Sequence, residues 1–134
     1  MTDARPRIAP CGNDCAECPR HLATISGNAL SLAYAANLWF RLGFRDGVDS
    51  NEEIACQGCP PPNPCRHEIA ECARARNAAT CGACAEIERC ARISAALART
   101  ERYMITFRSK CTRAEYATLD RALFRKRENL ARRG

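Results

Sequence analysis

Thiols are the most numerous reactive groups in this chain. Eleven cysteines occur in 134 residues, and seven fall in the run CQGCPPPNPCRHEIAECARARNAATCGACAEIERC between positions 56 and 90. Cys56-x2-Cys59 and Cys81-x2-Cys84 have the two-residue gap that lets both sulfurs of a tight turn meet one ion about 2.3 Å away. Cys65, His67, Cys72 and Cys90 lie around them. A second dense group, Cys11-Gly12-Asn13-Asp14-Cys15-Ala16-Glu17-Cys18-Pro19, stands near the N-terminus. Its gaps place three sulfurs within one turn and the start of a helix, and Gly12 and Asn13 permit the sharp backbone. Three thiolates need a fourth partner. It is either His21, three residues after Cys18, or a cysteine of the central run, which would tie the two groups together.

Metal binding is the chemistry that this spacing favours. A disulfide-rich secreted chain also uses many cysteines, but the count here is odd, and close CxxC pairs are poor staples for long loops. The segment MTDARPRIAP lacks the apolar run of a secretory signal, and no stretch approaches the ~18 apolar residues of a membrane span. A reducing cytoplasm is the expected compartment. A redox-active CxxC is the remaining thiol chemistry.

Short helices are expected to position the thiols, in a single domain of the mostly α class. Residues 11–90 form its metal-binding region and residues 91–134 a C-terminal helical region. Residues 26–43 read as an amphipathic helix with Leu32, Ala35, Ala36, Trp39 and Leu42 on one face, and Trp39 and Phe40 as core side chains. Residues 44–53 read as a polar loop. The prolines from Pro60 to Pro64 form a stiff spacer, and residues 67–76 a short helix carrying Cys72 that breaks near Asn77. A longer helix is expected from about Ala85 to Phe107, with Cys90 on its second turn. After a break at Ser109–Cys111, Thr112-x-x-Glu115 is a capping box. One last helix follows, with Tyr116, Leu119, Leu123 and Leu130 as its apolar stripe and Arg121, Arg125, Lys126, Arg127 and Arg132 on its other face.

Aromatic residues make up only 6% of the chain and alanine occurs 24 times, so the apolar core is expected to be thin. A structural zinc site supplies about 10–16 kcal/mol of apparent binding free energy, comparable to the whole ~5–15 kcal/mol stability of a domain. Metal is therefore expected to staple the fold. The net charge of +6 is uneven: residues 99–134 hold eleven Arg or Lys against four Asp or Glu. That tail suits an acidic partner or a nucleic-acid backbone, although no nucleic-acid motif is present.

The order Cys11-Gly12-x2-Cys15-x2-Cys18-Pro19, then Cys56-x-Gly58-Cys59, then His67-x-Ile69-x2-Cys72-Ala73, then Cys81-x2-Cys84 and Cys90 resembles the small prokaryotic family known as domain of unknown function 3795. The resemblance spans residues 9–92 and implies zinc binding with no assigned activity. It matches Cys11, Cys15, Cys18, Cys56, Cys59, Cys72, Cys81, Cys84 and Cys90 to family cysteines. His67 stands where the family has cysteine, a ligand exchange zinc accepts. Cys65 is one residue from its usual position, and Ala70 replaces the family's arginine. With Cys65 and His67 the candidate ligands number eleven, enough for two or three ions.

A zinc-binding interaction module is the reading these features favour over an enzyme. Glu68, Glu71, Glu86 and Glu88 are near ligands in sequence, but thiolate-rich sites are closed, and no H-E-x-x-H or zinc-deaminase pattern occurs. An iron–sulfur electron carrier is the alternative, since Cys11-x3-Cys15-x2-Cys18 also has the spacing of radical S-adenosylmethionine enzymes. The barrel such enzymes need is beyond 134 mostly helical residues. Cys111 lies outside the pattern. It is either a reactive thiol near a helix start or, as the better reading, an inert half-buried one.

Overall fold

Local capping signals account for most helix ends in the computed structural model, which describes residues 8–56 and 68–131. Helix α1 (Pro19–Ser26) starts with proline in its first turn, where the missing N–H costs nothing, and ends on Gly27 at φ 68°. Asn28 caps α2 (Ala29–Leu42), its side chain accepting the Leu30 and Ser31 amides, and Gly43 at φ 91° ends it. The expected face is buried: Ala35, Ala36, Trp39 and Leu42, joined by Leu38. Phe40 departs from expectation, since its side chain is 41% exposed.

The segment expected as a polar loop contains helix α3 (Asn51–Ile54), closed at its start by a reciprocal Ser50–Glu53 capping box. Its value lies in Ile54, which is completely buried. Helix α4 (Ile69–Ala75) carries Cys72 and ends near Asn77, whose φ is 59°. Helix α5 (Ala91–Thr106) begins later than expected, because tight turns at Cys81–Ala83 and Ile87–Arg89 precede it. Cys90 is therefore the residue before α5, not a member of its second turn.

The C-terminal region also differs from the single helix expected. Thr112 and Glu115 form the expected capping box on α6 (Arg113–Leu119), but a widened π turn at Asp120–Phe124 follows, and α7 (Lys126–Ala131) is separate. The widened turn changes register, so Leu119 and Leu123 join one core and Leu130 another. Lys126 is not on a basic outer face. It is buried, and its Nζ donates to Thr100 Oγ1 at 2.8 Å and the Leu123 carbonyl at 2.7 Å. Arg121, Arg125 and Arg127 are exposed but paired with Glu17, Asp120 and Glu101. Arg132 lies outside the described residues.

Among the described residues two hydrophobic cores result. The larger joins α2, Ile54, Phe107, Leu119 and the π turn, with Phe44, Tyr103 and Tyr116 packed around it. The smaller contains Ile69, Ile93, Ala96 and Leu130, with Cys11, Cys81 and Cys90 against it. Helix α5 spans both, from Ile93 near its start to Phe107 just beyond its end. Among the described residues the only bridge of strand type pairs Ile8 with Asp14 and closes the N-terminal knuckle.

Candidate metal centre

The turn at Cys81–Ala83 is built by its own backbone: Thr80 Oγ1 accepts the Gly82 amide at 3.1 Å, and the Cys84 amide donates to the Cys81 carbonyl at 3.1 Å. Glycine is required in the middle because α7 presses on it. A Cβ at Gly82 would come 2.0 Å from the Leu130 carbonyl oxygen. The Cys90 amide then donates to Ile87 at 3.3 Å, turning that cysteine back at the start of α5. Cys72 on α4, Cys81 and Cys84 on the turn, and Cys90 together line a cavity of about 220 Å³.

Electrostatics link these four sulfurs and Cys11. Burial pushes the Cys81 thiol up to about 11, and negative charge on Cys90, Cys11, Cys84 and Cys72 adds to the effect. Cys11 is held nearby because the Cys81 amide donates to the Pro10 carbonyl at 2.9 Å. Arg76 lies at the cavity edge, its pKa raised first by a 2.5 Å bond to Glu86 and then by the Cys72 side chain. Thiolates crowded this way repel one another, and a bound cation reverses that penalty. The donor set thus suits a thiophilic ion. Among the described residues no three Cys, His, Asp or Glu side chains converge on one point at ligand spacing.

A second group of thiols lies at the start of α1. Cys18 precedes the helix, and its thiol is raised mainly by burial, opposed by the His21 and Arg20 amides and reinforced by charge on Cys56. The segment from Ile54 to Cys56 is strapped to α1. Arg20 Nε bonds the Ile54 carbonyl, the Cys56 amide donates to Thr24 Oγ1 at 2.8 Å, and His21 Nδ1 lies 2.9 Å from the Cys56 carbonyl.

Negative charge on Cys11 acts on the Cys81 thiol, and charge on Cys56 acts on the Cys18 thiol. None of the nine described cysteines is in a disulfide. Cys59, Cys65 and His67 lie outside the described residues, as does the proline spacer. Cys111 stands apart, raised by burial and by Glu115, with its thiol 3.3 Å from the Phe107 carbonyl. Of the four glutamates near ligands, Glu86 is tied to Arg76. A larger cavity of about 550 Å³ behind Gly82 includes Ile87, Ile93, Leu97 and Leu130 in its lining, and no cysteine lines it.

Short capped helices around knuckle turns and a thiol-lined cavity define a small, cysteine-rich helical protein. The chain belongs to the family described as protein of unknown function (DUF3795), which matches residues 7–95. That span includes both groups of thiols and ends inside α5. No curated protein and no solved structure matches the chain. Among the described residues, no helix is long and apolar enough to cross a membrane.

Proposed function

We propose that this protein binds zinc through Cys72, Cys81, Cys84 and Cys90, and that the ion holds together a helical module whose role is interaction and not catalysis. One observation carries the reading: four cysteines from three separate segments line a single cavity. Four thiolates make a closed, electron-rich site, which suits a structural ion better than a Lewis acid. The small neighbouring core supports the same view, since Ile69, Ile93, Ala96 and Leu130 alone give little apolar area to hold α4, α5 and α7 together. The basic face expected to meet a nucleic acid is broken up: Lys126 is buried, and Arg121, Arg125 and Arg127 have acidic partners.

Elemental analysis of protein purified under reducing conditions, without chelator, tests the reading. Zinc should be bound in stoichiometric amount, and Cys84→Ser together with Cys90→Ser should remove one equivalent. A brown protein containing iron and sulfide, absorbing near 400 nm, would instead establish the iron–sulfur alternative on the same sulfurs. Full metal content in the double variant would refute this assignment of ligands.

A further inference from the structure

Residues 21–40 contain no Asp, Glu, Lys or Arg, in a chain of which 27% is charged. That uncharged run builds most of α1, the turn at Gly27 and nearly all of α2. Such a run suits a helix buried all round, yet α2 buries only one side, with Ala35, Ala36, Leu38, Trp39 and Leu42. The opposite side is open and still largely apolar: Leu30 is 82% exposed and Tyr34 47%, and Ala33, Asn37 and Phe40 are exposed with them. Leu30-x2-Ala33-x3-Asn37-x2-Phe40 has the alternating three- and four-residue spacing of a seam between two helices. Arg41, the first charge after the run, donates to Asn37 Oδ1 at 2.7 Å and is neutralised by Glu115 through two guanidinium nitrogens, at 3.1 and 2.9 Å. Leu22 and Ile25 on α1, which packs on α2, are exposed as well.

We infer that this face is where two copies of the chain associate, α2 of one against α2 of the other about a two-fold axis. The choice of occupant follows from charge. A net charge of +6 makes two copies repel, and a face without unpaired charge lets them meet with no cations apposed. The same face offers no free cation to an acidic partner. Size agrees, since a stable interface takes about 800 Å² from each partner and α2 is about 21 Å long, with α1 beside it. Helix dipoles oppose one another when two helices run antiparallel. That arrangement sets Leu30 of each copy against Phe40 of the other, and Ala33 against Asn37. It also accounts for Phe40, expected in the core and found outside it. The inference extends the interaction role proposed above and needs no bound metal, because α2 belongs to the larger core while Cys81 and Cys90 lie against the smaller.

Sedimentation velocity of the full chain under reducing conditions, over a range of concentrations, tests the inference. The protein should sediment as a dimer of 14.8 kDa chains that dissociates on dilution. Leu30→Glu and Phe40→Lys should each weaken the dimer about thirtyfold or more. Both side chains are exposed, so far-UV circular dichroism should stay that of the wild type. Mixed together, the two variants should reassociate, because the antiparallel contact then puts the new carboxylate against the new ammonium at one end and keeps Leu30 against Phe40 at the other. Failure of the mixture to reassociate, with each variant alone monomeric, overturns the antiparallel seam. A wild type that is monomeric at every concentration overturns the inference, and binding of that monomer to phosphatidylcholine vesicles would give the face to lipid instead. A dimer that persists in both variants but is lost in Ile105→Glu, an exposed position on α5, also overturns it. A zinc-free dimer would refute the metal reading and leave this one standing, and a zinc-loaded monomer would do the reverse.

Discussion

At the residue scale, two glycines limit how the knuckles meet α7. At Gly82 an added methyl would overlap the Leu130 carbonyl, and at Gly12, with φ +100°, it would lie 2.8 Å from the Lys126 carbonyl oxygen. Because backbone cannot move aside as a flexible side chain can, Gly82→Ala should destabilise by about 1–3 kcal/mol or more. Gly47, with nothing within 4 Å, is the control, and Gly47→Ala should stay within about 0.5 kcal/mol in urea denaturation. Equal midpoints for the two variants would count against close docking of α7. The knuckle turns were legible in sequence because the cysteine spacing and the glycines that form them are local. The environment of His21 was not, since it depends on a carbonyl 35 positions away. For Cys111 burial outweighs position, and the inert reading is the one the structure supports.

At the element scale, Glu115 shows how a local signal can conceal a tertiary role. The sequence marks it as half of a capping box, and it does accept the Thr112 amide at 2.9 Å. It also binds two guanidinium nitrogens of Arg41, at 3.1 and 2.9 Å, and accepts from the Tyr34 hydroxyl at 2.5 Å, so it fastens α6 to α2. The Arg41 guanidinium is the largest cause lowering its carboxyl from the ordinary 4.5 to about 2, with the Tyr34 hydroxyl and the Thr112 amide adding to it. A depressed carboxylate pKa means that this stabilisation is complete above about pH 4.5 and is lost as pH falls through about 2. Glu115→Gln should cost about 1–2 kcal/mol at neutral pH, a value kept modest by the partial exposure of Arg41. It should also flatten the acid limb of stability against pH. An unchanged acid limb would show that the contact contributes little. The break between α6 and α7 was hidden for a related reason. Tyr116, Leu119, Leu123 and Leu130 keep helical spacing throughout, and the cause is external: in the π turn the Ala122 carbonyl accepts the Asp14 amide of the knuckle at 2.8 Å.

At the scale of the whole molecule, the two cores differ in what maintains them. The larger contains Trp39, Phe107, Phe124 and several leucines, enough apolar surface to persist without help. The smaller leans on the cysteines that surround it. Thiols must lose protons to bind metal, so zinc affinity should fall as pH is lowered, with proton release on binding measurable by calorimetry in buffers of different ionisation enthalpy. Binding without proton release would mean that the thiols are not the ligands. Helical class was readable from apolar spacing and capping signals. The pairing of sulfurs was not, because it is set by contacts among α1, α4, α5 and α7.

Hydrogen exchange read by mass spectrometry, before and after complete metal removal under reducing conditions, tests most directly whether bound ions maintain the cysteine-rich half. Removal should sharply accelerate exchange in residues 69–100 and 126–131 while α2 and α6 keep most of their protection, and added zinc should restore the original pattern. Unchanged protection in the metal-free, fully reduced protein would contradict the account.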